Sequence, residues 1–181
     1  VWTGNAKSAT LEFIPLSAYV NSARSCPSKL CPNAAASEGD AASRGSLTVA
    51  YQGEADLIVT NGQGQSVGRA FGQFINTIPE ASLLRARGTR LGDYPPEIDV
   101  PADQDITVRL LADYAQKGDL QLYAPDFTLS MDGLNLTRNS DEELTYAAAT
   151  QQTHYIANNE QQPTFKLATA HYLAILSNLN M

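Results

Sequence analysis

The sequence predicts a mainly β protein, an antiparallel β-sandwich or meander with a helical C-terminal hairpin, and three observations lead there. Between Glu97 and Met131 apolar residues alternate with polar ones: Ile106, Val108 and Leu110 around Thr107 and Arg109, then Leu120 and Leu122, then Phe127, Leu129 and Met131 around Thr128 and Ser130. A period of two is that of a half-buried strand. The runs are separated by Gln116-Lys117-Gly118-Asp119 and by Ala124-Pro125-Asp126, polar breaks with the Gly or Pro that turns between antiparallel neighbours require. After about residue 139 the pattern changes to three-then-four spacing, the period of a helix. These features divide the chain into a β-sandwich domain over 1–138 and a helical C-terminal arm over 139–181, packed on that domain or on a neighbouring subunit.

From the start of the chain, Leu11 and Phe13 before Pro15 read as a bent or edge strand, because proline cannot donate to a ladder. Residues 21–46 are Ser, Ala, Pro, Asn and Gly with almost no large apolar side chain, which predicts a long loop. LTVAY and ADLIV, on either side of Gln52-Gly53-Glu54, read as a hairpin ended by Asn61-Gly62. Beyond it Val67, Ala70, Phe71 and Phe74 follow helical spacing, and Pro79-Glu80 can open a further turn through Leu83, Leu84 and Arg87 before Gly88. In the arm, Ser140 and Glu143 form a capping-box pattern ahead of Leu144, Ala147, Ala148, Gln151 and Tyr155, predicting a helix over about 141–157. Asp141, Glu142 and Glu143 would stand where the helix dipole favours negative charge. Pro163 sits as a first helical residue would, and Phe165, Thr169, Tyr172, Leu176 and Leu179 continue the spacing. The competing reading of this last stretch is a strand alternating through Leu167, Thr169, His171, Leu173 and Ile175.

Composition bounds function. A chain of 181 residues, 43% hydrophobic and 17% charged, is long enough for one well-buried core. Its net charge of -7, with 12 Lys and Arg spread along it, argues against a nucleic-acid partner. Arg85, Arg87 and Arg90 make the one local basic cluster, read as a solvated face. No apolar run approaches the ~20 residues of a membrane-spanning helix. The chain begins at Val1 with no Met and no signal-like apolar segment, which fits a processed or excised product. Cys26 and Cys31 are expected to form a disulfide that pins the 21–46 loop; free thiols and a metal site are the competing readings. So short a loop contributes only about 2 kcal/mol, but the bond implies an oxidising, extracytoplasmic compartment: periplasm, outer membrane or cell surface.

No catalytic constellation emerges. Gly62-x-Gly64-x-x-x-Gly68 resembles a phosphate-cradling turn, yet its neighbours read as hairpins and not as βαβ units. His154 and His171 could meet across a helical hairpin, with Glu160 as a third group, but both read as structural histidines. Asp99, Asp103, Asp105, Asp126 and Asp132 stand at strand ends, where carboxylates can gather around calcium or flank a glycosidic bond, and where turns use them anyway. Asn135-Leu136-Thr137 is a glycosylation sequon in a eukaryotic secretory setting. No cofactor is expected.

One segment resembles a family. YPPEIDVPADQDITVRLL over Tyr94 to Leu111, with GQGQSVGRAFGQF upstream, is similar to the part of TraB-type conjugation channel proteins where a glycine-rich segment precedes a P-x-I-x-V-P-A-G strand entry. Here Asp103 and Gln104 stand where that family tends to place Gly, and the cysteines and the C-terminal arm have no counterpart. The resemblance implies a place in the outer-membrane core of a type IV secretion machine. The functional expectation is a non-enzymatic extracytoplasmic structural or assembly subunit, of a secretion-channel core or a pilus-like assembly, forming homo-oligomers or joining other envelope proteins. Phe165, Tyr172, Leu176 and Leu179 are its expected assembly residues. The alternative is a secreted or periplasmic module that binds a glycan, a peptide or an enzyme to be inhibited through the 21–46 loop.

Overall fold

A computed structural model of the chain describes the backbone of residues 2–5 and 8–12 and, with side chains, residues 45–84, 97–158, 162–170 and 173–176. Fifteen strands run through these segments: β1 (Trp2–Asn5), β2 (Ser8–Glu12), β3 (Ser46–Gln52), β4 (Asp56–Asn61), β5 (Ser66–Ala70), β6 (Gln73–Asn76), β7 (Ser82–Leu84), β8 (Glu97–Pro101), β9 (Ile106–Ala112), β10 (Gln116–Tyr123), β11 (Phe127–Leu136), β12 (Ser140–Ala147), β13 (Gln152–Ile156), β14 (Thr164–Thr169) and β15 (Leu173–Leu176). They form two sheets with every neighbour antiparallel: sheet A in the order β1-β2-β13-β12-β9-β4-β5-β6, and sheet B in the order β15-β14-β11-β10-β3-β8-β7.

The central alternation places side chains as the sequence predicts. Ile106, Val108, Leu110 and Ala112 of β9 are buried while Thr107, Arg109 and Leu111 between them are half-buried, and the pattern continues through β10 and β11. The two inner faces meet in one apolar core to which β3, β4, β8, β9, β10, β11 and β12 all contribute. Aromatic pairs join the layers: Phe127 of sheet B lies 5.5 Å from Tyr146 of sheet A, and Tyr155 of sheet A meets Phe165 of sheet B edge to face at 6.0 Å.

The helical C-terminal hairpin is not what the chain builds. Residues 140–147 and 152–156 are β12 and β13, a hairpin in sheet A, and 164–169 is β14, hydrogen-bonded to β11 in sheet B. No helix occurs among the described residues. The reason lies in the inward positions of β12: Ser140, Glu142, Leu144 and Tyr146 alternate into the core, and two polar residues among them hide the period of two. Ser140 uses its hydroxyl in a turn, accepting the Thr137 amide at 2.7 Å, and caps no helix. The expected helix after Asn61 is likewise strand: β5 and β6 are joined by Phe71-Gly72, both with positive φ, 49° and 75°, as a two-residue hairpin turn demands.

Two predicted hairpins are sheet-to-sheet crossings. LTVAY belongs to β3 in sheet B and DLIV to β4 in sheet A, so Gly53-Glu54-Ala55 carries the chain across the core. Gln116 to Asp119 belongs to β10, and the break is Asp113-Tyr114-Ala115, which also changes sheets. The Ala124-Pro125-Asp126 turn does close a hairpin, with the Ala124 amide donating to the Phe127 carbonyl at 2.8 Å.

Gly68 marks the tightest backbone approach. Its φ is 138°, and a Cβ there would overlap the carbonyl oxygen of Leu57 on β4. Gly68→Ala is therefore expected to destabilise the fold by about 1–3 kcal/mol, read as a lower denaturant midpoint at unchanged slope.

Candidate functional site

The carboxylates singled out in the sequence are dispersed and occupied locally. Asp99 accepts the Thr48 hydroxyl at 2.5 Å, Asp105 accepts the Ala148 amide at 2.8 Å, and Asp126 accepts from Gln151 Nε2 at 2.9 Å. Asp132 is held by Lys166 and Ser130. Burial alone would raise its pKa, but the hydrogen bonds from Lys166 and Ser130 outweigh that and hold it below the usual carboxylate range. Asp103 stands between β8 and β9. No group of three or more His, Cys, Asp or Glu able to hold a metal occurs among the described residues.

The glycines of Gly62-Gln63-Gly64 form the β4–β5 turn, fixed by Asn61. Its side-chain oxygen accepts the amides of Gln63 and Gln65, each at 3.0 Å, and its Nδ2 donates to Gln65 and Gln104. Those backbone amides are spent on Asn61 and do not form an open anion cradle. His154 lies on the outer face of β13 opposite Thr145. His171, Glu160, Cys26, Cys31, the loop over 21–46 apart from its last two residues, and Arg85, Arg87 and Arg90 lie outside the described residues.

One polar pair sits inside the core and left no recognisable signal in the sequence. Glu142 of β12 is 1% exposed and accepts the Tyr155 hydroxyl at 2.7 Å. Burial first, then the charge of Glu142 and this hydrogen bond, pushes the Tyr155 phenol far above its ordinary value. Tyr51 of β3 is raised too, by burial and then by Asp119; its ring covers Gly53 and Gly118, and its hydroxyl has no hydrogen-bond partner. The pair is enclosed between the sheets, so its role is structural. No family model, curated protein or solved structure matches this chain.

Most of the large apolar side chains exposed among the described residues lie at the borders of the sheets. β6, the last strand of sheet A, reads Gln-Phe-Ile-Asn and is exposed along its whole length. Phe71, at the tip of the hairpin that presents it, is 85% exposed in a left-handed conformation that bulky residues seldom adopt. At the opposite border, β15 closes sheet B with Leu-Ala-Ile-Leu, where Leu173 is 63% and Ile175 55% exposed. Neither strand contains a charged residue or a proline, the usual protections of an unpaired edge.

The residues expected to carry assembly divide accordingly. Phe165 is 2% exposed and packs on Tyr155, so it offers no surface. Leu176 is partly exposed on the β15 edge, while Tyr172 and Leu179 lie outside the described residues. Sequence reading missed β6 because Phe71 and Phe74 counted toward a helix; an apolar pair around a glycine turn was the available signal.

Two measurements test the buried pair. Tyr155→Phe removes the donor to Glu142 and is expected to cost about 1–3 kcal/mol, whereas Tyr51→Phe removes an unpartnered hydroxyl and should change stability by less than about 1 kcal/mol. Both phenols have folded-state pKa values above the ~10 of an unfolded chain, so the unfolded state loses protons first as pH rises. Stability is fully present below pH ~10 and falls above it. In an alkaline absorbance titration, Tyr51 and Tyr155, of eight tyrosines, should ionise only with unfolding.

Proposed function

We propose that this chain is a non-enzymatic structural subunit that joins its neighbours through the edges of its sheets. The observation that carries the reading is the pair of uncharged, apolar edge strands, β6 and β15, at opposite borders of the molecule. An unpaired edge is a row of backbone donors and acceptors ready for another strand, and strand addition satisfies them while covering the side chains beside them. Phe71, Phe74 and Ile75 at one border, and Leu173, Ile175 and Leu176 at the other, lose water on such contact. Among the described residues, Asp99, Asp105, Asp126 and Asp132 are taken up by nearby hydroxyls, amides and a lysine within the sheets.

The setting we propose is extracytoplasmic, in a cell-envelope or surface complex. The CPSKLCP spacing supports it, because a short disulfide persists in an oxidising compartment. The resemblance of residues 62–111 to TraB-type channel proteins supports a secretion-channel core within that setting. No helix of the described residues is long and apolar enough to cross a membrane.

Light scattering after size exclusion tests the assembly. The native protein is expected to run as a defined oligomer or filament whose mass is the same with and without reductant, which assigns the contact to edges and not to intermolecular disulfides. A clean monomer at every concentration would sink the reading.

A further inference from the structure

Resting on the assembly reading above, we infer its polarity: copies add head to tail through sheet A, the β6 edge of one receiving the β1 edge of the next in an antiparallel ladder, so that growth is open-ended.

The inference follows from strand parity. Sheet A has eight strands and every neighbouring pair in it is antiparallel, so its two edge strands, β1 and β6, run in opposite directions. A second copy displaced along the sheet therefore brings its β1 beside β6 in the antiparallel sense, and the ladder of the sheet continues unbroken. Sheet B has seven strands, all pairs again antiparallel, so its edges β15 and β7 run the same way. The same displacement would put those two strands parallel, a slightly weaker pairing per residue. Sheet A is the sheet that can propagate.

Length and charge agree. β1 and β6 are four residues each, so neither overhangs the other, and Trp-Thr-Gly-Asn and Gln-Phe-Ile-Asn contain no charged residue. In a chain of net charge -7, two copies repel over most of their surface, and an uncharged edge meeting an uncharged edge is the contact with least opposition. Phe71, at the head of the β5–β6 hairpin, gives the joint an aromatic anchor beside the ladder.

A closed two-fold pair through β6 alone is the competing geometry. It would leave β1 of both copies as an open edge, whereas head-to-tail addition pairs both edges of every internal copy. Each internal copy then satisfies twice as many edge groups, and a heterologous contact of this kind grows into a filament unless its rotation closes a ring.

Complementary blocking of the two edges in the full-length chain decides between these. Phe74→Pro removes an outward-facing backbone donor of β6 and Gly4→Pro one of β1, since the Thr77 amide bonds Ser66 and the amides of β6 alternate from it; Ile75→Lys and Thr3→Lys repeat the test with the backbone donors kept, in case a proline variant fails to fold by circular dichroism. Each variant alone is expected to run as a monomer by light scattering. An equimolar mixture, in which one copy keeps β1 and the other keeps β6, is expected to stop at twice the monomer mass. Assembly of Gly4→Pro and Thr3→Lys that matches the unmodified protein would overturn the inference and assign a closed β6 pair, and so would a mixture that stays monomeric. A monomeric unmodified protein removes the assembly reading itself, which is a different result from either.

Discussion

Each sheet has one apolar face and each needs the other to cover it. That requirement organises the chain, because the way it is met is by crossing. The connections β3 to β4, β6 to β7, β8 to β9, β9 to β10, β11 to β12 and β13 to β14 all pass from one sheet to the other. Between the hairpins, strands adjacent in a sheet are thus distant in sequence: β3 pairs with β10 and β8, and β4 with β9. Neither sheet can join its hairpins into a continuous ladder unless the other forms with it. The core is accordingly one unit, joined across its thickness by Phe127 on Tyr146 and by Tyr155 on Phe165. Contacts this remote in sequence cost loop entropy before they return stability, so the fold belongs with slow, cooperative β folds.

The same organisation explains which parts of the fold were legible in the sequence. β9, β11 and the second half of β10 read correctly because their inward positions are almost all Ile, Val, Leu, Phe or Met, and alternation then stands out. β12 and β13 read as helix because their inward positions include Ser140, Glu142, Thr153 and Tyr155. Burying a carboxylate is tolerable here because a phenol donates to it, and that pairing spans two strands, so no local pattern announces it. With Glu142 counted as polar surface, Leu144, Ala148 and Tyr155 fall on a helical period by coincidence. Crossings were misread as hairpins for a different reason. A polar stretch with a glycine serves either connection, and what separates them is the destination of the next strand, which only the whole sheet order specifies. Of the proposed contact edges, β15 was half visible through Leu176, and β6 was hidden inside an apparent helix.

Charge placement bears on what the edges are for. The ion pairs of the described residues lie across strand faces: Arg109 with Asp141 between β9 and β12, Lys166 with Asp132 between β14 and β11, Arg69 with Asp56 between β5 and β4. The Arg109 guanidinium, hydrogen-bonded to Asp141, is raised above its ordinary value, and Lys166 is raised by its hydrogen bond to Asp132, so both stay charged through any physiological pH. Arg109–Asp141 and Lys166–Asp132 are partly exposed, where solvent screens such pairs and each contributes little to stability, while Arg69–Asp56 is more enclosed. Their consequence is topographic. Charged side chains occupy the broad outer faces, where a neighbouring copy would have to desolvate them, and are missing from β6 and β15, where it would not. A chain with 31 charged residues (12 Lys and Arg plus 19 Asp and Glu) had ample means to place one lysine on either edge, and a single such charge is enough to discourage strand addition. In the proposed assembly, charged outer faces and uncharged border strands favour association sideways, along the sheet, over stacking of one face on another.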